Sequence, residues 1–217
     1  MKTVLLTGST SGIGKEIKSL LKIYNYKVIE LNRNSGDYQC DLSKPENIQN
    51  VLNNIENLKE VSVLINCAGI GYYGLHENLK STQISEMVRV NFEAPMILCN
   101  ELLPYLKANK GCIINISSIT AEQINTHGCA YGATKAGITS FTKSLFAEVR
   151  KHGLRCVNIE PDMTETNLYR NANFTTSDDP ETYLTASEVA KTVLYCIENQ
   201  HITSITLQPQ KHQIKRK

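Results

Sequence analysis

Residues 7–14 read TGSTSGIG; they follow a short apolar run and lead into a segment of helical period. Glycine has no Cβ, so Gly8 can take a tight turn, Gly12 can let a ligand approach the backbone, and Gly14 can let helix and strand pack closely. Backbone N–H groups at the start of a helix face any anion held there. The spacing predicts a strand, a phosphate-binding turn and a helix, the opening of a β-α-β unit.

The remainder of the chain repeats that alternation. Residues 4–6, 28–31, 61–65, 112–116, 156–159 and 202–207 read as strands, most of them nearly continuously apolar and therefore buried on both faces. Between them, residues 13–23, 45–58, 84–106, 131–152 and 187–199 carry apolar side chains at helical spacing. Ser43 ahead of Pro45 and Glu46, and Ser187 with Glu188, mark helix starts, and Gly153 marks an end. The predicted fold is α/β, a single Rossmann-type doubly wound parallel sheet of about seven strands with helices on both faces. Residues 1–210 read as one domain, followed by a basic tail, 211–217, expected to be solvated and disordered. Residues 166–185, rich in Asn, Thr, Ser and Asp, are expected to form a mobile lid.

Composition narrows the function. A net charge of +2, from 23 basic and 21 acidic residues, makes no global case for nucleic acid or an anionic membrane as partner. The seven cysteines contain no CxxC pair, so neither a metal cluster nor a disulfide framework is indicated. No apolar run reaches membrane-spanning length, and a reducing, cytoplasmic setting is expected.

Eighteen residues after Gly14 come Asn32 and Arg33, at the end of the second predicted strand. At this place in a dinucleotide-binding unit an acid bonds the ribose 2′-OH of NAD. An amide does not repel a 2′-phosphate, and an adjacent guanidinium grips one through its planar fork. NADP(H) is favoured; NAD(H) stays open, because Glu30 shares a strand face with Asn32.

A second constellation lies near the later strand ends. Tyr131 and Lys135, in YGATK, share one helix face. A nearby ammonium stabilises a phenolate, so the pair predicts a tyrosine whose pKa falls from about 10 toward neutrality and which can exchange protons. In INISS, residues 114–118, Ser118 is the better placed serine to bond the same substrate oxygen.

With these motifs in this order, the chain resembles the short-chain dehydrogenase/reductase family from Thr3 to about Thr166. TGSTSGIG is similar to the family's TGxxxGxG turn, NCAG at 66–69 to its NNAG element, and Asn91, Ser118, Tyr131 and Lys135 stand at its catalytic positions. The resemblance implies that Tyr131 exchanges the proton, Ser118 positions the substrate oxygen, Lys135 binds the nicotinamide ribose and lowers the Tyr131 pKa, and Asn91 holds a water. It also implies cofactor contacts from Gly8, Ser9, Thr10, Ser11, Gly12, Ile13 and Gly14. Further contacts would come from Asn32, Arg33, Asp41, Leu42, Asn66, Ala68 and Gly69, and from Pro161, Met163, Thr164 and Thr166. A homodimer or homotetramer and a small carbonyl or alcohol substrate are expected on the same ground.

Two departures from the family pattern stand out. Asp162 follows Pro161 where glycine is common, and a carboxylate near a nicotinamide favours its cationic, oxidised form. After ITLQP only QKHQIKRK remains, so no substrate-closing C-terminal extension is expected. The favoured activity is carbonyl reduction with Tyr131 as general acid. Alcohol oxidation is the alternative within enzymes, and a non-catalytic dinucleotide-binding scaffold the alternative of another class. Substrate walls are expected from Ile124, His127 and Cys129 and from the 166–185 segment.

Overall fold

In the first strand Val4 and Leu6 pack on one side and Leu5 on the other, and all three are fully buried. A computed structural model describes residues 1–217 and shows how that alternation is used. The strands are β1 (Thr3–Thr7), β2 (Lys27–Asn32), β3 (Tyr38–Gln39), β4 (Val61–Asn66), β5 (Cys112–Ile116), β6 (Arg155–Pro161), β7 (Phe174–Thr176), β8 (Ser204–Leu207) and β9 (Ile214–Arg216). The helices are α1 (Gly12–Ile23), α2 (Pro45–Asn53), α3 (Ser81–Val88), α4 (Ala94–Ala108), α5 (Cys129–Val149) and α6 (Ala186–Glu198). Seven strands form one parallel sheet in the order β3-β2-β1-β4-β5-β6-β8.

Each sheet face has its own core. Leu5, Leu31, Leu64 and Ile113 meet Ile48 and Leu52 of α2, Leu98, Leu102 and Leu106 of α4, and Leu145 and Val149 of α5. On the opposite face Val4, Leu6, Ile65, Ile114 and Val157 meet Ile17 and Leu21 of α1 and Val193 and Ile197 of α6. This is the doubly wound sheet that the β-α alternation predicts. Every fully buried leucine or isoleucine in these layers contributes roughly 1.5–3 kcal/mol relative to exposure.

Several local expectations change. The single helix expected over 84–106 is two, α3 and α4, joined by a π-helical turn at Arg89–Glu93. The wide turn directs Asn91 inward, where its amide bonds both backbone groups of Ile70. Thr185, not Ser187, caps α6, in a reciprocal capping box with Glu188. Ser43 caps nothing, because its hydroxyl donates to Asp41 Oδ1.

The tail departs most. Residues 214–216 are not a disordered end: β9 pairs antiparallel with β7, inside the 166–185 segment. Charge complementarity explains the pairing. Lys211 meets Asp179 and Glu181 at 3.2 and 2.6 Å, and Lys215 meets Asp178 at 2.8 Å. The 166–185 segment is correspondingly built rather than irregular, with short helical turns at Asn167–Asn171 and Pro180–Thr182 on either side of β7.

Candidate active site

Strand order reverses between β1 and β4, and the loops leaving their carboxyl ends part there, the usual place for a ligand in an open α/β sheet. A cleft of about 430 Å³ opens at this point. The glycine turn forms its floor. Gly8 and Gly12 have φ of 73° and 50°, and a Cβ on Gly14 would lie 2.1 Å from Gly8 O. A Cβ on Gly12 would meet Thr166 Cγ2 at 2.9 Å, so the segment after β6 descends onto the turn. Ser11 precedes α1 without a side-chain cap, leaving the first-turn N–H groups for an anion. This uncapped, Cβ-free cradle fits a dinucleotide pyrophosphate. Thr7 Oγ1 accepts from Cys67 N and Ala68 N, both at 3.1 Å, and so ties the turn to the 66–69 segment.

Thr10, Ser11, Gly12, Ile13, Ala68, Gly69, Pro161, Thr164 and Thr166 line the cleft together with Asn32, Arg33, Asp41 and Leu42. Ser9 does not: its N–H donates to Asn32 Oδ1 and its hydroxyl to Glu30 Oε2. Asn32 is therefore held from behind, with its Nδ2 bonded to Ser9 Oγ. Glu30 is drawn away from the ribose corner by Ser9, Lys18 and Lys22. Burial opposes its ionisation, but these partners outweigh burial and hold the carboxyl below its ordinary range. Arg33 is exposed and lies 3.9 Å from Glu86, whose other oxygen accepts from the Tyr72 hydroxyl. Hydrogen bonds from Ser43, chiefly from its hydroxyl, hold Asp41 ionised below the usual carboxylate range. Asn66 points into the sheet, donating to Asn115 Oδ1, and Met163 is buried beneath the wall.

Ser118, Tyr131 and Lys135 converge at the inner end of the cleft. Ser118 follows β5, and its oxygen accepts from Thr120 N and Thr120 Oγ1 at 3.2 and 3.0 Å. With its lone pairs engaged, the hydroxyl directs its own proton to the Tyr131 oxygen. Lys135 Nζ donates to Ile116 O at 2.8 Å and sits 5.7 Å from the Tyr131 ring centre. Burial pushes its ammonium down to about 8.

The lowered phenol expected from the Tyr131–Lys135 spacing is not what the fold produces. Burial raises the Tyr131 phenol well above its ordinary value and Tyr169 adds to this, while the Ser118 and Tyr73 hydroxyls pull it partway back. Lys135 Nζ gives one N–H to the Ile116 carbonyl and is not among the groups that set the range of the phenol. Asn91 stands one layer out, 2% exposed, bonding Ile70 and Thr134.

The substrate wall also differs from expectation. Ile124 is 95% exposed, His127 and Cys129 are exposed, and none of them lines the cleft. Tyr73 packs against Tyr131, and Tyr169 and Phe174 pack against Tyr73; of these three only Tyr169 lines the cleft. The sequence signal for Tyr73 was its position in GYYG, 71–74, where flanking glycines make room for a ring. No cluster of three or more His, Cys, Asp or Glu side chains is arranged to hold a metal ion, and no helix is long and apolar enough to cross a membrane.

Comparison with known proteins agrees with this geometry. The profile of the short chain dehydrogenase family matches residues 2–176. Carbonyl reductase family member 4 of Xenopus tropicalis is 32% identical, with 95% of each chain covered. Among solved structures, 4-hydroxyisoleucine dehydrogenase complexed with NADH is 26% identical with a TM-score of 0.84, covering 96% of this chain and 97% of that one. An alcohol dehydrogenase from Thermococcus sibiricus, complexed with 5-hydroxy-NADP, shares the fold at a TM-score of 0.86 and 20% identity, with 98% of each chain covered. A Rossmann-type sheet, a glycine turn at its switch point and a family match over most of the chain lead to one conclusion: this protein belongs to the short-chain dehydrogenase family of oxidoreductases.

Proposed function

We propose that the chain is an NADP(H)-dependent carbonyl reductase in which Tyr131 is the general acid. The observation that carries this reading is the buried Ser118, Tyr131 and Lys135 cluster, which opens into the same cleft as the uncapped glycine turn. A bound nicotinamide supplies the hydride. Tyr131, kept protonated by its burial, gives its proton to the substrate oxygen, which Ser118 orients by turning its hydroxyl proton to it from the Tyr131 oxygen. Lys135 keeps N–H groups beyond the one given to Ile116 O, available for a ribose hydroxyl. Asn91 is a positioning residue that fixes the Ile70 backbone beside them. The NADP(H) preference is supported by exposed Arg33 at the ribose corner and by withdrawal of Glu30 from it. The carbonyl reductase name of the amphibian relative supports the direction.

Asp162, which lines the cleft with Oδ1 bonded to its neighbour's N–H, favours a second reading, oxidation of an alcohol by the same residues. Self-association as a homodimer or homotetramer fits the groove where Met96, Ile97, Leu103 and Phe141 of α4 and α5 reach the surface. The deciding experiment is Tyr131→Phe, assayed with NADPH and a panel of aldehydes and ketones. Turnover is expected to fall at least about a hundredfold while the NADPH dissociation constant stays within about twofold. Undiminished turnover in that variant refutes the assignment.

A further inference from the structure

Three aromatic rings meet beside the proposed proton donor. Tyr73 lies 5.4 Å from Tyr131, 5.9 Å from Tyr169 and 5.3 Å from Phe174, and Tyr169 lies 5.5 Å from Phe174. Their planes are inclined at 40–73°, the tilted and edge-to-face arrangements that ring quadrupoles prefer. The rings come from three places in the chain: the loop after β4, the turn after β6, and β7.

Specific contacts fix each ring. A Cβ on Gly71 would come within 2.5–2.7 Å of the Tyr73 ring and hydroxyl, so only glycine lets that ring seat. Gly74 N donates to His127 O at 2.8 Å, and Asn171 Nδ2 donates to Gly71 O at 3.2 Å, joining the loop to both neighbouring segments. Phe174 is held by β9, its register partner being Arg216. Lys217 donates through its backbone to Asn173 O and through Nζ to Tyr169 O. Lys211 and Lys215 clamp the same segment through Asp178, Asp179 and Glu181. Burial raises the Tyr73 and Tyr169 phenols, the latter to about 12, so both rings stay uncharged near neutral pH.

We propose that Tyr169, which lines the cleft beside Tyr131, forms with the Tyr73 and Phe174 rings packed behind it an aromatic substrate subsite, braced by the C-terminal strand, for a flat ring attached to the reacting carbonyl. The proposal rests on the carbonyl reductase reading and deepens it by naming the substrate class. A flat ring gains quadrupolar contact with these faces and edges as well as burial, whereas a saturated ring of the same size gains burial alone. The tail is then part of the site, although it is far from the chemistry in sequence.

The test compares benzamide with cyclohexanecarboxamide, unreactive carbonyl analogues of matched size, by calorimetric titration of the full chain with NADPH present. Benzamide is expected to bind roughly three- to tenfold more tightly. That ratio is expected to fall to near one in Tyr73→Leu and Phe174→Leu. It should also fall in the Lys211→Glu/Lys215→Glu double variant, which sets like charges across the β7–β9 contact. Equal binding of the two amides by the unaltered protein, or a preference that survives in all three variants, overturns the proposal. Benzaldehyde and cyclohexanecarbaldehyde separate it from the underlying reading. Equal reduction of both aldehydes defeats the subsite and leaves the reductase standing; an amide preference without any aldehyde reduction defeats the reductase and leaves the subsite.

Discussion

Lys135 should make the folded protein less stable than it need be, by an amount that changes with pH. The residue is 5% exposed, and burial takes its ammonium from 10.5 to about 8. A drop of that size corresponds to a cost of roughly 3 kcal/mol for carrying the charge inside the fold. The folded pKa is below the unfolded one, so between about 8 and 10.5 the unfolded chain holds a proton that the folded chain lacks, and this contribution to stability rises with pH. The cost is present in full well below 8 and disappears above 10.5. Worked from the two values, it is roughly 3 kcal/mol near pH 7 and roughly 2 kcal/mol near pH 9. Lys135→Met removes the charge and keeps an unbranched side chain of similar length. It also removes the bond to Ile116 O, a loss that lowers the gain at every pH without setting its trend. Urea unfolding followed by circular dichroism at both pH values should show the variant's advantage shrinking by roughly 1 kcal/mol from the lower to the higher. A difference that stays constant, or that widens as pH rises, would refute the reasoning. Reductase activity should be lost in the same variant, making Lys135 a group kept for function at the expense of stability.

Other perturbations probe the remaining parts of the cleft. Arg33→Gln should raise KM for NADPH roughly tenfold and leave KM for NADH nearly unchanged, whereas Glu86→Gln, which frees Arg33 from its carboxylate neighbour, should lower KM for NADPH; steady-state kinetics with both cofactors decide, and parallel changes for the two cofactors count against a phosphate-reading role. Gly14→Ala drives a methyl to within 2.1 Å of the Gly8 carbonyl, contact with backbone that cannot swing aside. It should cost at least about 2 kcal/mol in urea unfolding and abolish NADPH binding, and a variant of normal stability and affinity would show that the turn is looser than described.

Much of the architecture was legible from local pattern. A strand is recognised from a few consecutive apolar residues and a helix from spacing over three or four, so the β-α alternation and the turn at 7–14 could be read directly. The pairing of Tyr131 with Lys135 on one helix face is likewise a matter of adjacent turns. The sequence by itself determined the doubly wound sheet, the place of the cleft within it and the family of the chain. Folding decided what the residues in that cleft became. Tyr131 has a raised rather than a lowered phenol because burial, a property of every surrounding segment, sets its range, and the ammonium four residues away is not among the groups that lower it. Ser9 and Glu30, 21 residues apart, are partners, so the acid that kept NAD(H) open in the sequence is tied to Ser9 and does not line the cleft. The aromatic wall depends on contacts such as Asn171 with Gly71, separated by 100 residues. The tail reads as a solvated charge run until the acidic stretch it pairs with, 178–181, is brought beside it. Short-range periodicity carries no information about which distant segments will meet, and here those meetings set the charge of the buried side chains and the pairing of the tail.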